Sequence, residues 1–231
     1  SPGTAASPPP WESRPVLRVP ADRLSLEAWS GLWERLGAGA DPRPPYQAVL
    51  RAYTEPHRHY HTLEHISRVL GLFDAVRERC RQPDEAELAL WVHDLVYDPG
   101  AADNEERSAT LARRWLVDGG VAEPRTQHVA TLILATRHRA PPDDDDARYV
   151  VDIDLSILGA PQGEFDRYER QVRQEYAVRS DEEWRERRAA LLRVFLERPR
   201  IYQTLELAVL EAPARANLVR SLARLTASPR A

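Results

Sequence analysis

The sequence predicts an all-α protein, and three observations carry that expectation. Apolar residues recur at helical spacing along most of the chain, as in Leu63, Ile66, Leu70, Phe73 and Val76. Helix stop and start signals, such as Gly37 with Gly39, Pro83 with Asp84, and Gly119 with Gly120, fall between those stretches. Strand signals are nearly absent, with no period-2 stretch of any length.

Taken in order, residues 1–20 are rich in Pro, Ser, Ala and Gly, and Pro8-Pro9-Pro10 forbids a helix, so a flexible tail is expected there. One helical domain over residues 21–231 accounts for the rest. Leu26, Trp29, Leu32, Trp33 and Leu36 mark a first helix that Gly37 stops, and a second spans about Tyr46 to Tyr53. The third carries the stripe from Leu63 to Val76. Pro83-Asp84 opens a fourth, which places His93 and Asp94 in mid-helix and ends near Tyr97-Asp98-Pro99-Gly100. Asp103 reads as an N-cap, with Glu106 completing a capping box for a helix to about Val117. A further helix covers about Arg125 to Arg137. Asp143 to Asp146 reads as a solvated loop, and Tyr149 to Leu158 as a short helix or an extended buried piece. Two charged amphipathic helices follow, near 164–177 and 181–196, and one or two more lie between Tyr202 and Leu225.

With 231 residues, 42% hydrophobic and 29% charged, the chain has ordinary globular composition and can bury a substantial core. A net charge of −4 gives no general pull toward a nucleic-acid duplex or an anionic membrane. All 32 basic residues are arginine, which excludes Schiff-base or other lysine chemistry. The single cysteine, Cys80, forms no internal disulfide and suits a reducing compartment. No 18-residue apolar run and no charged-then-apolar opening is present, so neither a membrane span nor a signal peptide is expected, and the location read from this is cytoplasmic.

Chemistry concentrates in the histidines. Five of the seven fall between His57 and His93, and His61 and His65 are spaced to share one helix face. His93 and Asp94 interrupt the apolar run Ala89-Leu90-Trp91-Val92, and Asp152 and Asp154 interrupt Val150-Val151 and Ile153-Leu155. A buried carboxylate beside a buried imidazole is costly unless something neutralises it, and a divalent cation does so. Three such intrusions point to one shared ion.

The segments Tyr60-His61-x-x-x-His65, His93-Asp94-x-x-Tyr97-Asp98, Asn104-Glu105-x-x-Ser108 and Asp152-x-Asp154-Leu155-Ser156-Ile157-Leu158-Gly159 resemble, in that order, the HD superfamily of metal-dependent phosphohydrolases, and more narrowly an uncharacterised bacterial branch of it. The likeness covers roughly residues 24–225. It implies a single HD-domain-like helical bundle with metal ligands at His65, His93, Asp94 and one of Asp152 or Asp154, with Asp154 preferred for the Leu that follows it. Tyr60-His61-x-x-x-His65 also resembles the opening motif of the cyclic-nucleotide phosphodiesterases, which implies His61 as general acid. By the same likeness Glu105 positions the attacking water, and His138 lies where some members add a ligand for a second metal. One ion is the expected count.

A donor set of imidazoles and carboxylates suits Mn²⁺, Fe²⁺, Co²⁺, Ni²⁺ or Zn²⁺, with Mg²⁺ also compatible. The implied activity is hydrolysis of a small phosphorylated substrate, a nucleotide among them, with Arg58, Arg137 and Arg139 neutralising phosphate charge. The alternatives are a di-iron, oxygen-dependent oxygenase of the same fold and a non-catalytic nucleotide-binding module. The charged helices after residue 164 leave room for a homo-oligomer.

Overall fold

The computed structural model describes residues 21–227, and the expected N-terminal tail lies outside them. Among the described residues there are ten α-helices and no strand, the all-α bundle that the periodicity predicts. The helices are α1 (Leu26–Arg35), α2 (Arg43–Ala52), α3 (Leu63–Val76), α4 (Pro83–Val92), α5 (Asn104–Asp118), α6 (Glu123–Ala135), α7 (Asp145–Asp154), α8 (Gln162–Glu175), α9 (Asp181–Glu197) and α10 (Glu211–Thr226).

Helix α4 is the central element, packed against α1, α3, α5, α6 and α7. Every residue from Glu85 to Val92 is buried, which is why its apolar character runs all the way round. Trp91 meets Trp29 edge to face at 5.4 Å, and Ile66, Val69, Leu70 and Phe73 of α3 complete the core beside it. Helices α5 and α6 pack as a hairpin, and α9 pairs with α10, which also packs on the 3-10 turn Leu155–Gly159 that continues α7. Gly37 and Gly120, at φ 80° and 78°, close α1 and α5. In each case the following N–H bonds back across the turn, Ala38 to Trp33 O and Val121 to Leu116 O.

Three local expectations need correction. Helix α4 stops at Val92 with His93 as its cap, so His93 and Asp94 are not mid-helix. The carbonyls of Asp94 and Leu95 turn away from the helix to the Arg58 guanidinium, at 2.6 and 3.0 Å. At the start of α5, Asp103 makes no side-chain cap, and Glu106 pairs with Arg137 instead of completing a box. The capping box sits at Ser180 and Glu183, opening α9. The aspartate run is only partly a loop. Asp144 caps α7 by accepting from Ala147 N (2.8 Å), and buried Asp146 accepts from the N–H groups of Arg81 and Gln82, both at 2.7 Å, just ahead of α4.

Candidate metal centre

Four helix ends bring the donors together. His65 lies in the first turn of α3, which Thr62 caps by accepting from Glu64 N (3.3 Å). His93 and Asp94 follow the last residue of α4, and Asp154 is the last residue of α7. His138 follows α6, in the left-handed region at φ 54°.

The Nε2 atoms of His65 and His93 face each other at 3.1 Å. Asp94 Oδ2 is 3.0 Å from His93 Nε2 and 3.7 Å from His65 Nε2. Asp154 Oδ1 is 3.4 Å from each of the two nitrogens. His93 Nδ1 lies 3.1 Å from the Leu90 carbonyl, which can only accept, so the neutral ring carries its proton there and turns the Nε2 lone pair inward. Donors bound about 2.0–2.2 Å from one ion stand roughly 2.8–3.6 Å from one another, and the separations among His65, His93 and Asp154, 3.1–3.4 Å, match that spacing. The donors of His65, His93 and Asp154 therefore fit a divalent transition metal, and Asp94, 3.0 Å from His93 Nε2, borders the same space.

The electrostatics agree. Burial opposes charge on His93, yet Asp94 and Asp154 lift its pKa well above the ordinary histidine range. Burial pushes His65 down, and the neighbouring charge of His93 adds to this against the pull of Asp154. Burial would raise the two carboxylates, but His93 and the other imidazoles hold both Asp94 and Asp154 below their usual range. In the protein alone, protons on imidazole supply the positive charge this site needs. A cation and those protons compete for the same donors, so metal uptake releases protons.

His61 is not on the same helix face as His65, because α3 begins only at Leu63. It reaches the site from the preceding turn, with Nε2 4.0 Å from Asp94 Oδ2. What holds it there is Glu175, at the end of α8, which the sequence reading missed. Glu175 Oε2 lies 2.7 Å from His61 Nδ1 and accepts from the Tyr97 hydroxyl at 2.9 Å. Its Oε1 accepts from three successive backbone N–H groups, those of His59, Tyr60 and His61, at 2.7–3.0 Å. Burial alone would raise Glu175, but His61 and these N–H groups bring its pKa down to about 2. Burial lowers His61, and Asp94 and Glu175 together outweigh it and raise its pKa. A signal was present in the sequence: Glu175 continues the stripe Phe165, Tyr168, Val172 by one more helical step.

The other expected residues divide. Glu105, half-buried in the first turn of α5, has its pKa raised by burial and by Asp94, with His138 pulling the other way, so it lies within electrostatic reach of the site. His138 Nε2 is 2.8 Å from Asp154 Oδ2. Arg58 is not free to take a phosphate: its side chain is fully buried and engaged with Glu55 and the carbonyls of Asp94 and Leu95. Arg137 is paired with Glu106, and Arg139 is exposed. Asp152 points away from the ion site, where its carboxylate accepts from Gln203 N, Thr204 N and the Thr204 hydroxyl at 2.7–3.0 Å. His128 also faces elsewhere, toward Glu85 and Asp144. A cavity of about 500 Å³ is lined by Leu134, Arg137, Arg139 and Pro142 and includes none of the donors.

Comparison of the chain with protein-family models, with curated proteins and with solved structures finds no match. No helix among the described residues is long and apolar enough to cross a membrane.

Proposed function

We propose that this chain is a metal-dependent hydrolase of a small phosphoester, a nucleotide among the candidates, and a member of the HD superfamily that its motifs resemble. The observation that carries the reading is the convergence of His65, His93 and Asp154, whose facing atoms lie 3.1–3.4 Å apart, with Asp94 Oδ2 3.0 Å from His93 Nε2 and no arginine among them. A divalent ion held there supplies a Lewis acid that activates water and polarises a phosphoryl oxygen near neutral pH.

The chain's own residues provide the proton transfers. Glu105, whose raised pKa favours accepting a proton, orients the attacking water and takes a proton from it as the oxygen bonds to phosphorus. The P–O ester bond breaks, and the departing oxygen takes a proton from His61 Nε2. Glu175 keeps the His61 Nδ1–H directed at its carboxylate, so Nε2 is the nitrogen turned toward the reaction. When Asp94 is shared with a cation, Glu175 is the remaining support for charge on His61.

A single cysteine fits a reducing compartment, and the same proposal puts the protein in the cytoplasm. The test is metal analysis of the purified chain, followed by a phosphoester panel with Mn²⁺, Co²⁺, Ni²⁺ and Mg²⁺. One transition metal per chain and metal-dependent release of phosphate are expected. A fully folded, metal-free protein indifferent to chelator would sink the reading. Two irons per chain with oxygen uptake on reduction would favour the oxygenase alternative. Ligand binding that survives Asp94→Ala would favour the nucleotide-binding module.

A further inference from the structure

His138 is the one non-glycine residue in the left-handed region among the described residues. A position just past a helix C-terminus commonly adopts that conformation, but with Gly or Asn, whose side chains tolerate it. A β-carbon and an imidazole are held there by several contacts. The His138 N–H bonds back to the Ala135 carbonyl at 3.1 Å. Its own carbonyl accepts from Arg198, which follows α9. The imidazole packs edge to face on Phe195 with centroids 6.1 Å apart, and the Arg198 guanidinium lies over the same ring at 4.6 Å. Among the described residues Arg198 has no carboxylate partner, and burial alone lowers its pKa. Its interactions there are with the His138 carbonyl and the Phe195 ring. A backbone held in an unfavourable conformation by its surroundings is often found where a side chain has to be aimed.

The aim is toward Asp154. That carboxylate is divided between two tasks. Oδ1 stands 3.4 Å from both His65 Nε2 and His93 Nε2, while Oδ2 is 2.8 Å from His138 Nε2. The donors that close to within 4.8 Å of one another are those of His65, His93 and Asp154, with neither Asp94 nor His138 in that group. A bonded carboxylate oxygen fixes the rotation of the group and so the direction of the other oxygen, the way partners behind a metal ligand tune a site.

We propose that His138 is a positioning residue for a single-ion centre: its Nε2–H donates to Asp154 Oδ2 and so directs Oδ1 at the ion shared with His65 and His93, while Arg198 holds the His138 backbone in place. This rests on the metal-site reading above. It assigns His138 a task other than ligating a second metal.

The test is titration of metal-free protein with Co²⁺ or Mn²⁺, reading stoichiometry and affinity. The wild-type chain should take one ion. His138→Asn, whose side chain tolerates the left-handed backbone but is too short to reach Asp154, should still take one ion, with affinity weakened about 10- to 100-fold. His138→Gln, whose longer amide can donate to Oδ2, should recover most of that loss, and it carries the test if the Asn variant fails to fold. Wild-type affinity in His138→Asn overturns the inference, as does a Gln variant as weak as the Asn one. Two ions in the wild type falling to one in His138→Asn overturns it in favour of a ligand role. A wild-type chain that takes no ion overturns the metal-site reading itself, a separate and recognisable outcome.

Discussion

The two ends of α4 bury charge in opposite ways. At its N-terminal end Asp84, Glu85 and Glu87 are answered from within the chain. Glu87 receives Arg23 at 2.6 Å, Arg35 at 2.9 Å and also Arg77, while Asp84 shares Arg35 and Arg77. Glu85 receives Arg125 at 2.7 Å and His128. Beyond its C-terminal end Asp94 and Asp154 are half-buried, yet imidazoles are the side chains that face them, and Arg58 is turned to backbone carbonyls. Buried charge alone therefore does not mark a binding centre. The mark is a pair of enclosed carboxylates that face imidazoles and are answered neither by a permanent cation nor by backbone N–H groups, in a protein with 32 arginines to draw on.

The sharpest way to break this contrast is to neutralise one carboxylate at each end. Asp154→Asn should lose the bound ion and reduce phosphoester turnover to background. Glu87→Gln should leave metal content and turnover intact and lower stability by on the order of 3 kcal/mol, because three arginines lose a shared partner. Metal analysis and denaturant unfolding of both variants read the two effects separately. Loss of metal in Glu87→Gln, or full retention in Asp154→Asn, would erase the distinction.

Within the imidazole-rich end, His61 and His65 should also separate. His61→Ala removes a ring that approaches Asp94 no closer than 4.0 Å, so metal content should hold while turnover falls about 10²–10⁴-fold. Equal turnover in this variant would return His61 to a purely structural place.

Glu175→Gln probes the same imidazole from behind. Turnover should fall roughly tenfold, less than in His61→Ala, since the ring remains but loses its charged partner. The pH dependence of stability gives a second readout. The folded pKa of Glu175 is about 2, against roughly 4.3 in an unfolded chain, so its contribution is complete above about pH 4.3 and is lost as the pH falls through about 2. A displacement of that size is worth on the order of 3 kcal/mol. Denaturant unfolding of the metal-free protein from pH 5 downward should show a shallower decline in Glu175→Gln than in wild type. Parallel declines would mean the carboxylate is not charged in the folded state.

The candidate donors His93, Asp94 and Asp154 were legible because each breaks an apolar run, a rare enough event to be informative, and His65 because it stands in a cluster of histidines. Helical periodicity likewise exposed the all-α class. The misses share a cause, which is dependence on partners far along the chain. Helix α4 ends early because Arg58, 36 residues before Asp94, draws off that residue's carbonyl, while Leu95 and Val96 continue the apolar pattern and disguise the stop. Arg58 itself reads as a phosphate contact until its buried contacts are seen. Glu175 hides among the charged residues of α8, and its role appears only when the turn His59–His61 is laid against it, 114 to 116 positions away.

Asp152 and Asp154 carry the smallest of the tests and the one that separates fold from site most finely. Two residues apart near the end of α7, they point in different directions, Asp154 toward the imidazoles and Asp152 toward the segment after α9. Burial raises the Asp152 pKa, and the bonds from Thr204 and Gln203 pull against it without fully compensating. Asp152→Asn keeps one acceptor oxygen for those N–H groups but adds an amide donor in a place where donors already converge. The cost should be about 1–3 kcal/mol of stability with metal content and affinity unchanged. A weakened ion site in this variant would show that the loop at Gln203–Thr204 helps hold the end of α7, so that the final turn carrying Asp154 is not rigid by itself.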